Sequence, residues 1–167
     1  MKTISIYTTS QTFWLVILRV MIGWHFLYEG LAKILNPNWS AYPYLMDSQG
    51  AFSDLYYNIA TNPALLSVAE FLNMLGLTLV GFCLIIGLFS RMASIGGVLF
   101  LVMYYLSHPP FIGAEYLMPN EGTYLWVDKN LIEFGALMVL FYFPTSHIIG
   151  LDRLINRFFT RTKLAES

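Results

Sequence analysis

Four long apolar stretches, at about residues 12–35, 64–89, 92–107 and 129–146, constrain this chain more than any other feature. A helix needs about 20 apolar residues to cross the hydrocarbon core of a bilayer, and each stretch reaches or approaches that length. Only 11% of the residues are charged, against about 25% in soluble domains, so there is too little polar surface to cover such segments in water. The pattern predicts an all-α fold: a four-helix transmembrane bundle made as one domain by residues 1–167. Asn36-Pro37-Asn38, Ser90-Arg91 and His108-Pro109-Pro110 separate the spans. The first stretch holds Arg19, His25, Glu29 and Lys33 and has no small-residue cleavage site, so it reads as a retained helix rather than a signal peptide.

Charge placement sets the expected orientation. Lys2, Arg91, Arg153, Arg157, Arg161 and Lys163 fall on one side of the spans, whereas the long connections at about 36–63 and 108–128 contain Asp47, Asp54, Glu115, Glu121 and Asp128 and no Lys or Arg. The positive-inside rule then puts both termini and the second connection in the cytoplasm, with the long loops facing outward from a plasma (inner) membrane.

Those loops are rich in aromatic residues: Trp39, Tyr42, Tyr44, Phe52, Tyr56 and Tyr57 in the first, Phe111, Tyr116, Tyr124 and Trp126 in the second. Such residues suit an interfacial belt at the headgroups, and equally a lid over a site. Phe52, Leu55, Tyr56 and Ile59 recur at helical spacing, which predicts a short interfacial helix in the first outer loop. Leu151, Leu154, Ile155, Phe158 and Phe159 do the same beside Arg153, Arg157 and Arg161, which predicts an amphipathic C-terminal helix on anionic lipid.

Ionisable groups inside a membrane are costly and mark functional candidates. Counted from the span centres, Glu29 and Glu70 each lie five or six residues toward the outside, roughly 8–9 Å at about 1.5 Å per residue. Glu133 lies about four residues out, and His108 closes the third helix near the same boundary. His25, Glu29 and Lys33 form an i, i+4, i+8 line, Glu70 and Asn73 share a face, and so do Asn130 and Glu133. Arg19 lies on the cytoplasmic half of the first helix, close in angle to Gly23 and Gly30, which would let a neighbouring helix approach. This polar set can line one binding or proton-handling site in the outer half of the bundle. The same residues also suit interhelical pairs such as Glu29–Lys33, Glu70–Asn73 or Lys129–Glu133, and spacing alone admits either role.

Several classes are excluded. A net charge of −1 gives no footprint for nucleic acid. Cys83 is the only cysteine, so no intrachain disulfide, CxxC pair or cysteine-rich metal site can form. Two facing histidines could ligate a haem, but His25 and His108 differ in depth by about two turns and His147 lies at the cytoplasmic end. No nucleotide or metal motif is present either, and no intrinsic haem, flavin or metal is expected.

The run from Leu18 to Lys33, with the pattern Arg19-x3-Gly23-x2-Phe26-x3-Gly30-x2-Lys33, continues into Asn36-Pro37-Asn38-Trp39-Ser40-Ala41. Later come Trp126-Val127-Asp128-Lys129-Asn130-Leu131-Ile132-Glu133 and Gly150-Leu151-Asp152. These segments resemble the DoxX/DoxD family, most closely its DoxD branch, the small membrane subunit of thiosulfate:quinone oxidoreductase. The resemblance implies a four-helix membrane subunit of a quinone-linked oxidoreductase, taking electrons from a thiosulfate-like donor on the outer side. It brings no agreed catalytic set. Depth and chemistry nominate Glu29, Glu70 and Glu133 as proton-handling catalytic groups, and Arg19, His25, Lys33, Trp39, Asn73, His108 and Asn130 as substrate- or quinone-binding residues. Quinone is the expected acceptor. A second oxidoreductase subunit on the outer face is the expected partner, because 167 residues leave little extramembrane structure to hold a redox centre. A non-catalytic membrane anchor or assembly factor is the competing function. Gly76, Gly81, Gly87, Gly96 and Gly97 also suit packing against a second copy or another subunit.

Overall fold

The structure, a computed structural model, describes residues 7–110, 116–117 and 126–157. Among these residues it is helical throughout: α1 (Thr9–Leu35), α2 (Tyr42–Met46), α3 (Ser53–Thr61), α4 (Pro63–Ile86), α5 (Ser90–Ser107) and α6 (Lys129–Tyr142), with helix again over 151–157. Local chemistry sets the ends. Thr8 and Gln11 form a capping box at the start of α1, Asn62 caps α4 ahead of Pro63, and Asp128 accepts from the Leu131 N–H to open α6. Gly87, in the left-handed region at φ 67°, ends α4 before the expected residue 89.

Three helices, α1, α4 and α5, are long and apolar enough to cross a bilayer. In α4 only 22% of the apolar window is buried within the chain. Residues such as Phe71, Leu75, Leu79 and Phe82 therefore point outward and require apolar surroundings. The fourth expected span is shorter than its apolar stretch. α6 has 14 residues, a rise of about 21 Å against a hydrocarbon core of about 30 Å. It ends at Tyr142 rather than 146, since Phe143 precedes Pro144, and the residue before a proline avoids helical geometry.

The helices assemble as two close pairs, α1 with α4 and α5 with α6, joined through α4 and α5. α1 meets α6 over a much smaller surface. The core between them holds Ile22, Phe26, Leu77, Val80, Leu84, Leu101, Leu137 and Leu140. Gly23 and Gly81 bring α1 and α4 backbone to backbone: a Cβ on Gly81 would strike the Leu27 nitrogen and the Gly23 carbonyl oxygen. The five glycines that suit packing against a second copy or another subunit also have neighbours within the chain, Gly76 against Phe100, Gly96 against Val80 and Gly97 against Leu137 among them.

The connection between α1 and α4 folds into a cap. α3 forms where its apolar spacing predicts, but Tyr56 and Ala60 are buried against Leu45 of α2 while Phe52 and Leu55 stay exposed. The last carbonyls of a helix have no partner within it, and those of α5 are claimed by this cap. Tyr56 donates to Met103 O at 2.8 Å, Tyr44 to Tyr104 O at 3.4 Å, Ser48 Oγ to Ser107 O at 2.9 Å and the Gln49 N–H to Ser107 O at 3.2 Å. At the other end, helix 151–157 contains Leu151, Leu154 and Ile155 of the expected amphipathic segment. Phe158, Phe159, Arg161 and Lys163 lie outside the described residues, as do Lys2, Phe111, Glu115, Glu121 and Tyr124.

Candidate functional site

Antiparallel register decides which polar groups meet. Gly23 faces Gly81, Gly30 faces Thr78, and Ser40 reaches Glu70, so α1 ascends as α4 descends. Glu29 adjoins Gly30, whose partner Thr78 lies eight residues beyond Glu70. That places Glu70 about 12 Å further out than Glu29, not at the same depth. The expected single layer resolves into three levels.

Outermost is Glu70. Its carboxylate accepts from Ser40 Oγ at 2.6 Å and from the Ala41 N–H at 2.9 Å, pinning the start of the cap to α4. One level down, Lys33 Nζ lies 3.6 Å from Glu29 and stands 5.6 Å from the Trp39 ring centroid and 5.8 Å from that of Tyr104. Those distances are in cation–π range. Asn73 donates from Nδ2 to the Tyr104 hydroxyl at 2.6 Å, and its own carbonyl Oδ1 is buried with no partner among the described residues. Deepest is a pair across the α1–α6 seam, with His25 Nδ1 2.8 Å from Glu133 Oε1. His25 thus pairs with Glu133 on α6, not with Glu29 a turn away on its own helix. Its Nε2 and the Glu133 Oε2 are both buried and have no partner among the described residues.

The remaining candidates stand elsewhere. Arg19 is buried toward the other end of the bundle, donating to Thr145 Oγ1 at 3.0 Å and to Ile149 O at 2.9 Å. Asn130 donates to Asp128 Oδ2 at 3.0 Å within the first turn of α6. His108 belongs to the cap: its ring stacks on Tyr44 at 4.0 Å and lies 4.7 Å from Tyr116, its Nδ1 is 3.0 Å from Ser107 Oγ, and its Nε2 is 3.7 Å from Asp47. Burial lowers the His108 pKa below its ordinary 6.5, outweighing the opposite pull of Asp47. Burial likewise pushes the Tyr44 phenol well above its usual range, with Tyr104 adding to the effect, so Tyr44 stays a neutral donor.

Sequence reasoning passed over Tyr104, Asp47 and Thr145. Tyr104 carried a signal, since it lies four residues before His108 and so on the same face of α5. Asp47 and Thr145 carried none, because both gain their partners only through long-range folding.

Three helices long and apolar enough to span a membrane, with apolar outer faces and stacked levels of partly buried polar groups between them, define a helical membrane protein. Residues 14–109, more than half of the chain, match the family model of DoxX, and the chain belongs to the DoxX family. The match runs from α1 through α5 and the cap and ends before α6 and Glu133. No curated protein and no solved structure matches the chain.

Proposed function

We propose that this chain is the membrane subunit of a quinone-linked oxidoreductase of the DoxD kind. It crosses the bilayer four times and helps pass electrons from an outer-side, thiosulfate-like donor to membrane quinone. DoxX is a membrane family often linked to oxidoreductase-associated subunits. The observation that carries the reading is that three buried polar atoms on the facing helices, Asn73 Oδ1, His25 Nε2 and Glu133 Oε2, have no partner among the described residues and lie in helices surrounded by apolar side chains. Leaving a polar group unpaired in such a medium costs about 2–7 kcal/mol depending on the reference state, a cost that a ligand with polar edges and an apolar body would relieve. A quinone has that shape. His25, Lys33 and Asn73 supply hydrogen-bonding groups for its carbonyls, and Glu29 and Glu133 are the groups placed to hold a proton. Glu70 contributes by fixing the cap through Ser40 and Ala41. A partner subunit docked on the outer loops holds the redox centre that receives the donor's electrons.

A second reading, a non-catalytic anchor, has its own support: Glu29–Lys33 and Glu70–Ser40 are satisfied within the chain. Thiosulfate-driven reduction of decylubiquinone by membranes carrying the protein separates the two. Glu29→Gln and Glu133→Gln should each slow it by on the order of 100-fold, with the protein still folded. Wild-type rates in both would leave only the anchor.

A further inference from the structure

Of the pairwise joints that close the bundle, the one between α1 and α6 is slight, and a buried polar pair sits on it. The His25 side chain is 33% exposed and the Glu133 side chain 10%, so the ring borders the outer surface of the bundle while the carboxylate lies behind it. Nε2 and Oε2, which have no partner among the described residues, are the two far ends of one 2.8 Å hydrogen bond. An imidazole can accept a proton on one nitrogen as it releases another from the second. A pair serving only as a clasp would need the inner atoms and gain nothing from two desolvated, unsatisfied outer ones.

We propose that His25 and Glu133 form a proton relay at the lipid-facing α1–α6 seam, serving a lipid-soluble carbonyl acceptor that enters between these helices. This rests on the quinone reading above and adds where the acceptor docks and through which atoms its proton comes. The relay starts with hydrogen on His25 Nε2 and on Glu133 Oε1. As two electrons from the outer-side donor reduce the acceptor, the His25 Nε2–H bond breaks and its proton joins a carbonyl oxygen. His25 Nδ1 takes the proton from Glu133 Oε1, leaving neutral imidazole and a carboxylate. Glu133 regains a proton at Oε2 from outer-side water and its carboxyl group turns to present it to His25; once the reduced acceptor has left, exchange through water moves the His25 hydrogen from Nδ1 back to Nε2. Two passes deliver the two protons that a quinone takes up with two electrons. Glu29, one turn outward from His25 on α1 with its side chain 45% exposed, is the next polar group toward that water.

The test needs no donor protein. The full chain in lipid nanodiscs is loaded with decylubiquinone, which is reduced and reoxidised at an electrode while infrared difference spectra are recorded. The expected result is a carboxylic acid signal that disappears in Glu133→Gln and an imidazole signal that disappears in His25→Gln. If a variant fails to fold, isotope-labelled histidine and glutamate in the wild-type chain identify the same signals. Binding and reduction with no signal from either residue would overturn the relay and leave the quinone reading standing. Failure of decylubiquinone to bind the wild-type chain would overturn that reading, and the relay with it.

Discussion

His108 shows how one side chain can make a structure sensitive to pH. It lies between Tyr44 and Tyr116, with Asp47 facing its Nε2, at the point where the cap closes over α5. Burial lowers its pKa below 6.5 despite Asp47, so the folded chain binds this proton less readily than the unfolded chain does. The stabilisation is therefore complete above about pH 6.5 and is lost as pH falls through the lower folded value. Amide hydrogen exchange over residues 44–50 should speed up across that acid range, beyond the intrinsic pH effect, and the excess should vanish in His108→Gln. An excess that survives the substitution would assign the sensitivity to another group. The residue types at such places were legible in the sequence, since a buried histidine or glutamate is conspicuous among leucines. Their partners were not. His25 and Glu133 are 108 positions apart, and only the register between α1 and α6 brings them together.

At the level of elements, the length of the apolar stretches located α1, α4 and α5 closely, and helical spacing located even the short α3. What they could not give was depth. Counting from span centres puts Glu29 and Glu70 together, but α1 and α4 are offset by the contact between Gly23 and Gly81, which lets the two backbones slide to their own register. That contact can be tested directly. Gly81→Ala gains about 1 kcal/mol in helix propensity, but its methyl group meets the backbone of Leu27 and Gly23, which cannot rotate away. Overpacking of this kind costs about 1–3 kcal/mol, so the thermal midpoint in detergent should fall. Gly135→Ala in α6 offers the same gain with nothing within 4 Å, and its midpoint should hold or rise. Equal shifts in the two variants would mean that α1 and α4 do not depend on the close approach.

For the molecule as a whole, polar ties mark both ends of the bundle. At one end the cap binds α5 through Tyr44, Ser48 and Tyr56. At the other, Arg19 holds the 145–149 segment, while Asp152 accepts from the Phe89 N–H and donates its own N–H to Gly87 O, fastening helix 151–157 beneath the α4–α5 turn. The basic residues Arg91, Arg153 and Arg157 gather at this second end, and the cap holds none. Positive charge favours the cytoplasmic side, so the cap should face outward, and α6 should return the chain to the cytoplasm although it is short by itself. Shortness of that size can be met by local bilayer thinning. In a Cys83→Ala background, Asn58→Cys in α3 and Leu117→Cys in the second connection should react with a membrane-impermeant maleimide on intact cells. Arg91→Cys and Arg157→Cys should react only after permeabilisation. Labelling of Arg157→Cys from outside, with Arg91→Cys still protected, would mean that α6 does not cross and that the chain spans three times.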